Sequence, residues 1–171
     1  MPPQYLRIPG PTPLPDAVRE AGSEQMVGHR GPEFMELVSR CSEGMRPYFQ
    51  TESDVMIITS SGTGGLEAAV VTFLSPGDPV LTVSIGNFGE RFGKIARAYG
   101  ADVSMLEFDW GQAADVEVVR DAVREMVAAG RAPMAVQVTY NENSTGVTNP
   151  LPQLADAIRS EAADTLILVD G

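Results

Sequence analysis

Residues 79–106, PVLTVSIGNFGERFGKIARAYGADVSML, read as strand, helix and strand in succession. Pro79 to Val83 is a short apolar run rich in β-branched residues. Phe88 to Tyr99 spaces Phe88, Phe92, Ile95, Ala96 and Tyr99 as one helical face, and Ala101 to Leu106 is a second strand-like run. Two short strands joined through a helix predict a parallel pair, because the crossover returns the chain to the same end of the sheet.

The same alternation extends in both directions. Upstream, Val55 to Ile58 reads as a strand and Gly64 to Leu74 as a helix, broken by Ser75-Pro76-Gly77-Asp78. Downstream, Val116 to Ala129 is a helix ended by Gly130, Met134 to Val138 a strand, Leu151 to Ser160 a helix after Asn149-Pro150, and Thr165 to Val169 a strand. Strands interleaved with helices in this way predict an α/β fold, a mainly parallel sheet with helices on both faces. Ahead of it, Glu33 to Phe49 carries Phe34, Leu37, Val38, Cys41, Met45 and Tyr48 on one helical face, which predicts a first helix with Cys41 packed along it. The proline-dense opening, residues 1–15, reads as an extended arm within an N-terminal segment 1–32, of the kind that crosses subunit boundaries.

Composition sets bounds on function. Twelve Lys and Arg against twenty-three Asp and Glu give a net charge of -11, which repels nucleic acid and anionic membranes. No stretch approaches the apolar length of a membrane span, and the opening lacks the pattern of a targeting peptide, so the expectation is a cytoplasmic protein. Cys41 is the sole cysteine, which leaves neither an intrachain disulfide nor a metal signature.

In open α/β sheets ligands sit at the carboxyl ends of the strands, and four of those junctions carry chemistry. Thr59-Ser60-Ser61-Gly62-Thr63-Gly64-Gly65 follows an apolar run and opens a helix; free amides at a helix N-terminus, hydroxyls and glycines make an anion site suited to phosphate. A glycine-rich turn with a Ser or Thr cap is the plainer alternative. A dinucleotide site would require a carboxylate at the end of the next strand, and the run through Ser84-Ile85-Gly86 has none. Phe88 opens the next helix, either as a ring to stack on a flat ligand or as core. The polar run from Thr139 through Thr145-Gly146 is dense in hydroxyls and amides, as many loops are. Leu166-Ile167-Leu168-Val169 delivers Asp170 to the same end of the sheet, as a partner for a cation or as a cap. One ligand with a phosphate, a flat ring and a basic ring nitrogen accounts for all four; pyridoxal 5'-phosphate has those parts.

Taken together, Pro9-Gly10-Pro11-Thr12-Pro13, Gly28-His29-Arg30 ahead of Glu33-Phe34, Ser61-Gly62-Thr63 with Leu66-Glu67-Ala68-Ala69, Glu142-Asn143-Ser144-Thr145-Gly146 and Val169-Asp170 resemble the class V, fold-type-I aminotransferases, in particular the alanine-glyoxylate, serine-glyoxylate and serine-pyruvate group. The resemblance runs over essentially the whole chain. It implies that Ser61, Gly62 and Thr63 contact the cofactor phosphate, Phe88 is the stacking aromatic, Thr145 bonds the pyridoxal hydroxyl oxygen and Asp170 pairs with the ring nitrogen. Several relatives have Trp in place of Phe88 and His in place of Thr63. The implied activity is transfer of an amino group from a small amino acid of alanine or serine type to a 2-oxo acid such as glyoxylate or pyruvate, by a homodimer. A pyridoxal-phosphate lyase or desulfurase on the same fold, or a non-catalytic truncated subunit, stands as the alternative.

The family mechanism also needs a Schiff-base lysine. The sequence has one lysine, Lys94, within the helix after Gly89 and unlike the family's cofactor lysine in context. The expectation is therefore an incomplete large domain over residues 33–171, truncated before that lysine and before the small C-terminal domain, and inactive alone.

Overall fold

The computed structural model describes Leu6, Ile8 and residues 10–171. Residues 1–5, 7 and 9 of the proline-dense opening thus lie outside the described residues. In chain order the elements are α1 (Asp16–Ala21), α2 (Pro32–Phe49), α3 (Gly62–Phe73), β1 (Pro79–Ser84), α4 (Asn87–Ala98), β2 (Asp102–Glu107), α5 (Val116–Ala128), β3 (Ala135–Thr139), β4 (Asn141–Glu142), β5 (Val147–Thr148), α6 (Leu151–Glu161) and β6 (Leu166–Asp170). The chain divides into two compact units, Met1–Thr59 and Ser60–Gly171.

In the second unit four strands form a parallel sheet in the order β2-β1-β3-β6. Side chains alternate across it with the period of two that a strand imposes. Leu81, Val83, Val136 and Val138 join one apolar cluster with Val119, Val123 and Met126 of α5 and Leu154 and Ile158 of α6. Val80, Ala135 and Leu168 join the opposite cluster, with Leu66 and Val70 of α3 and Phe92 and Ala96 of α4. Both faces are therefore covered by helices, as a parallel sheet requires. Each fully buried Val or Leu stabilises this arrangement by roughly 1.5–3 kcal/mol relative to exposure.

The parallel register aligns Thr139 with Asp170 and Thr82 with Gln137. Thr82, Gln137 and Thr139 are buried, and the Thr82 hydroxyl donates to Gln137 Oε1 at 2.7 Å. Lying between β2 on one side and β3 on the other, β1 marks a reversal of strand order, and such a reversal opens a crevice at the carboxyl ends.

Two expectations change. Val55 to Ile58 forms no strand, so the chain has four strands in its main sheet rather than five alternating ones; a strand exists through its partner, and no described strand pairs with this run. Met56, Ile57 and Ile58 are exposed and Val55 is half-buried. Cys41 is exposed rather than packed, on a helix α2 that buries no residue. The structure also adds the short helix α1, started after Pro15 with an Asp16–Arg19 ion pair at 2.7 Å, and the β4-β5 hairpin in what reads as a loop. Among the described residues no helix is long and apolar enough to cross a membrane.

Candidate functional site

Three chain segments meet beyond the carboxyl ends of β1, β3 and β6: the start of α3, the start of α4 and the β4-β5 turn. Each carries residues that the sequence singles out.

Ser61 is the N-cap of α3, and its hydroxyl accepts the Gly64 amide at 3.3 Å. The cap reading of this serine therefore holds, and it leaves the Gly62 and Thr63 amides as orphan donors of the first helical turn. No acidic side chain occupies that turn, and a Cβ placed on Gly62 would meet nothing within 4 Å. The positive end of the helix is thus open to an anion. Gly64 has the opposite constraint: a Cβ there would lie 1.8 Å from Ser60 Oγ.

Phe88 is half-buried near the start of α4. The guanidinium of Arg91, one helical turn on, lies over its ring at 5.2 Å from the centroid and also donates to Thr63 Oγ1 at 3.3 Å. Arg91 thereby ties the start of α3 to the aromatic of α4 and brings a cation to both.

The N-cap position of α4 is Gly86, which has no side chain to cap with. The cap comes from the β4-β5 turn instead. Glu142, fully buried, accepts the Phe88 and Gly89 amides at 3.0 and 3.1 Å, while Ser144 Oγ accepts the Asn87 amide at 3.0 Å. Thr145 follows on the same turn, half-buried, its amide donating to the Glu142 carbonyl at 3.1 Å.

Asp170 ends β6, half-buried, with its carbonyl accepting the Tyr140 amide at 2.7 Å. Burial raises its carboxyl pKa above the usual range; the negative charge of Glu142 raises it further, and Arg91 opposes them. Beside it in register, the Thr139 hydroxyl is buried and has no hydrogen-bond partner among the described residues. A carboxylate under these pressures is suited to a cationic N–H donor.

Of the residues expected from the sequence, Thr63, Phe88, Thr145 and Asp170 are thus joined through Arg91 and Glu142, with Ser61 and Gly62 at the same helix start. Arg91 and Glu142 are not identified from sequence. Arg91 had a signal, since it stands three residues after Phe88 on one helix face. Glu142 is the one carboxylate of its polar run, and nothing in that run signals that it turns inward. Lys94 is apart from this chemistry: its ammonium pairs with Glu90 at 2.8 Å, and its side chain is 67% exposed.

The family profile Aminotransferase class-V matches residues 4–171. The chain is 38% identical over 165 residues to a protein of Anabaena cylindrica named soluble hydrogenase 42 kDa subunit, covering 96% of this chain and 42% of that one. It is 34% identical to the serine–glyoxylate aminotransferase of Methylorubrum extorquens, covering 98% and 41%. The crystal structure of an alanine–glyoxylate aminotransferase from Nostoc sp. superposes with a TM-score of 0.88 at 31% identity, over 99% of this chain and 43% of that one. The chain spans about 42% of the length of the curated relatives it matches. Enzymes of this family depend on pyridoxal phosphate. The open helix start, the half-buried Asp170 and the orphaned Thr139 hydroxyl are compatible with that group. By the match over nearly its whole length, the chain belongs to the class-V aminotransferases, with the parallel α/β architecture of the fold-type-I transferases.

Proposed function

We propose that the intact protein transfers an amino group from a small amino acid of alanine or serine type to a 2-oxo acid such as glyoxylate or pyruvate, as a homodimer. In this reading Ser61, Gly62 and Thr63 hold the phosphate of pyridoxal 5'-phosphate, Phe88 lies on its ring, Thr145 bonds its hydroxyl oxygen and Asp170 faces its ring nitrogen. Bound there, the cofactor supplies an electron sink for the amino acid's α-carbon.

The observation that carries this reading is Asp170. Its carboxyl is raised by burial and by Glu142, so it favours a cationic partner, and it shares one end of the sheet with an open helix N-terminus. A carboxylate opposite the ring nitrogen keeps that nitrogen protonated and the ring electron-poor. The orphan amides of Gly62 and Thr63, with Arg91 close to Thr63, oppose the phosphate charge. Phe88, with Arg91 over it, offers apolar area to a flat ring. The names of relatives support the acceptor: an L-aspartate–glyoxylate and a serine–glyoxylate aminotransferase are each 34% identical.

The 171 residues contain one lysine, Lys94, held by Glu90 on an exposed helix face. We infer that these residues alone bind the cofactor without a covalent bond and do not transaminate. The test adds pyridoxal phosphate to the 171-residue chain and treats it with borohydride. The expected result is reversible binding that Asp170→Asn weakens, with no lysine-linked reduced product. A reducible adduct on Lys94 together with amino-group transfer overturns the reading of the isolated chain, and binding indifferent to Asp170→Asn overturns the assignment of the ring nitrogen.

A further inference from the structure

A buried carboxylate stands between the parts of this site and is none of the expected cofactor ligands. Glu142 is fully buried, and both of its oxygens meet donors from the protein itself. Oε2 accepts the amides of Phe88 at 3.0 Å and Gly89 at 3.1 Å. Oε1 accepts the Ser144 amide at 3.2 Å and the Ser144 hydroxyl, and that hydroxyl in turn accepts the Asn87 amide. The Glu142 carbonyl accepts the amides of Thr145 at 3.1 Å and Gly146 at 2.8 Å.

Three consecutive amides at the start of α4 are therefore capped across a separation of more than fifty residues. A side chain on Gly86 would exclude this arrangement: its Cβ would lie 2.6 Å from Ser144 Oγ and 2.7 Å from Glu142 Cγ. A negative charge at a helix N-terminus is also favoured by the helix dipole. One of the captured amides belongs to Phe88, and the turn that supplies the carboxylate carries Thr145. The two groups assigned to the ring of the cofactor thus share one fastening, whereas the start of α3, assigned to the phosphate, donates no hydrogen bond to Glu142 among the described residues.

We propose that Glu142 is a positioning residue that fixes the Phe88 ring and Thr145 relative to each other, and so sets the ring half of the cofactor site more than the phosphate half, to which Arg91 links it. The inference rests on the cofactor reading given under Proposed function. Glutamine at this position keeps the length but has one acceptor oxygen in place of two, so it cannot serve both the α4 amides and Ser144.

The test compares the intact protein with Glu142→Gln, using pyridoxamine phosphate and inorganic phosphate as probes. Dissociation constants come from calorimetry, and ring orientation from induced circular dichroism in the cofactor absorption band. The expected result is pyridoxamine phosphate binding weakened about tenfold, the equivalent of one lost hydrogen bond to a charged group. Its induced signal changes, and inorganic phosphate binds within about twofold of the parent, the two probes differing because only one carries a ring. Ser144→Ala, which leaves the carboxylate in place, shows a smaller change in the same direction and serves if Glu142→Gln does not fold. Parent-like pyridoxamine phosphate binding and signal in the variants overturn the proposal. Equal weakening of both probes overturns it as well, since the role would then be general stability. A parent protein that binds neither probe overturns the cofactor reading, and the inference with it.

Discussion

Asp170 and Thr139 end adjacent strands in register, and each is held in a condition that a ligand-free fold does not favour. Asp170 binds its proton more tightly folded than unfolded, because burial and Glu142 penalise its charge. Its contribution to stability is therefore fully present below the ordinary carboxylate pKa of about 3.9 and is lost as pH rises through the raised folded value. Asp170→Asn should stabilise the ligand-free protein relative to the parent at pH 7, and the gain should shrink towards pH 4; urea midpoints at the two pH values check this. Thr139 carries a buried hydroxyl with no described partner, and leaving such a group unpaired costs roughly 1–3 kcal/mol. Thr139→Val should raise stability in denaturant unfolding by about 1 kcal/mol. Both residues are recognisable in the sequence as polar ends of apolar strands. That they stand side by side depends on the pairing of β3 with β6, which no local pattern states.

Among the elements, periodicity finds most of what local sequence can decide. The helices from α2 onward and the four sheet strands lie within a few residues of their expected positions, because each is amphipathic or apolar with its own period and ends at Gly, Pro or a cap. The misreading at Val55 to Ile58 has a different origin: the run is as apolar as β1, but strand formation is decided by a neighbour, not by the run itself. The β4-β5 hairpin, two residues a side, is too short for any period to register. Helix α4 shows what packing adds. Gly89 lets it approach β1 so closely that a Cβ would stand 2.9 Å from Ser84 Cα, and at Gly93 it would stand 2.5 Å from Met105 Sδ. Gly89→Ala must push against backbone, while Gly93→Ala meets the end of the Met105 side chain, which can turn aside, and the Thr82 hydroxyl at 3.0 Å, which needs to give only slightly. Thermal unfolding should show a loss of about 1–3 kcal/mol for Gly89→Ala and a smaller one for Gly93→Ala.

For the molecule as a whole, the division at Thr59 and Ser60 matters. Both apolar clusters, the entire parallel sheet and all six expected cofactor ligands lie in Ser60–Gly171. Residues 60–171 expressed alone should unfold in one cooperative transition and retain phosphate binding. A gradual, non-cooperative melt would show that the first unit is required for the core. The α/β class was open to sequence reading, because alternating strands and helices leave few other architectures, and that class is what directs the search for a site to the carboxyl ends of the strands. The reversal of strand order at β1 was not, since it follows from the sum of long-range pairings.

The glycine approach of α4 to β1 also bears on kinetics. The Phe88 end of this helix is seated against backbone through Gly89 and fastened at its start by Glu142, so the ring face is set before a ligand arrives. A site with little left to order loses little conformational freedom on binding. Stopped-flow mixing with pyridoxamine phosphate should then give a single phase whose rate rises linearly with ligand concentration, without the saturation that a preceding or following rearrangement imposes.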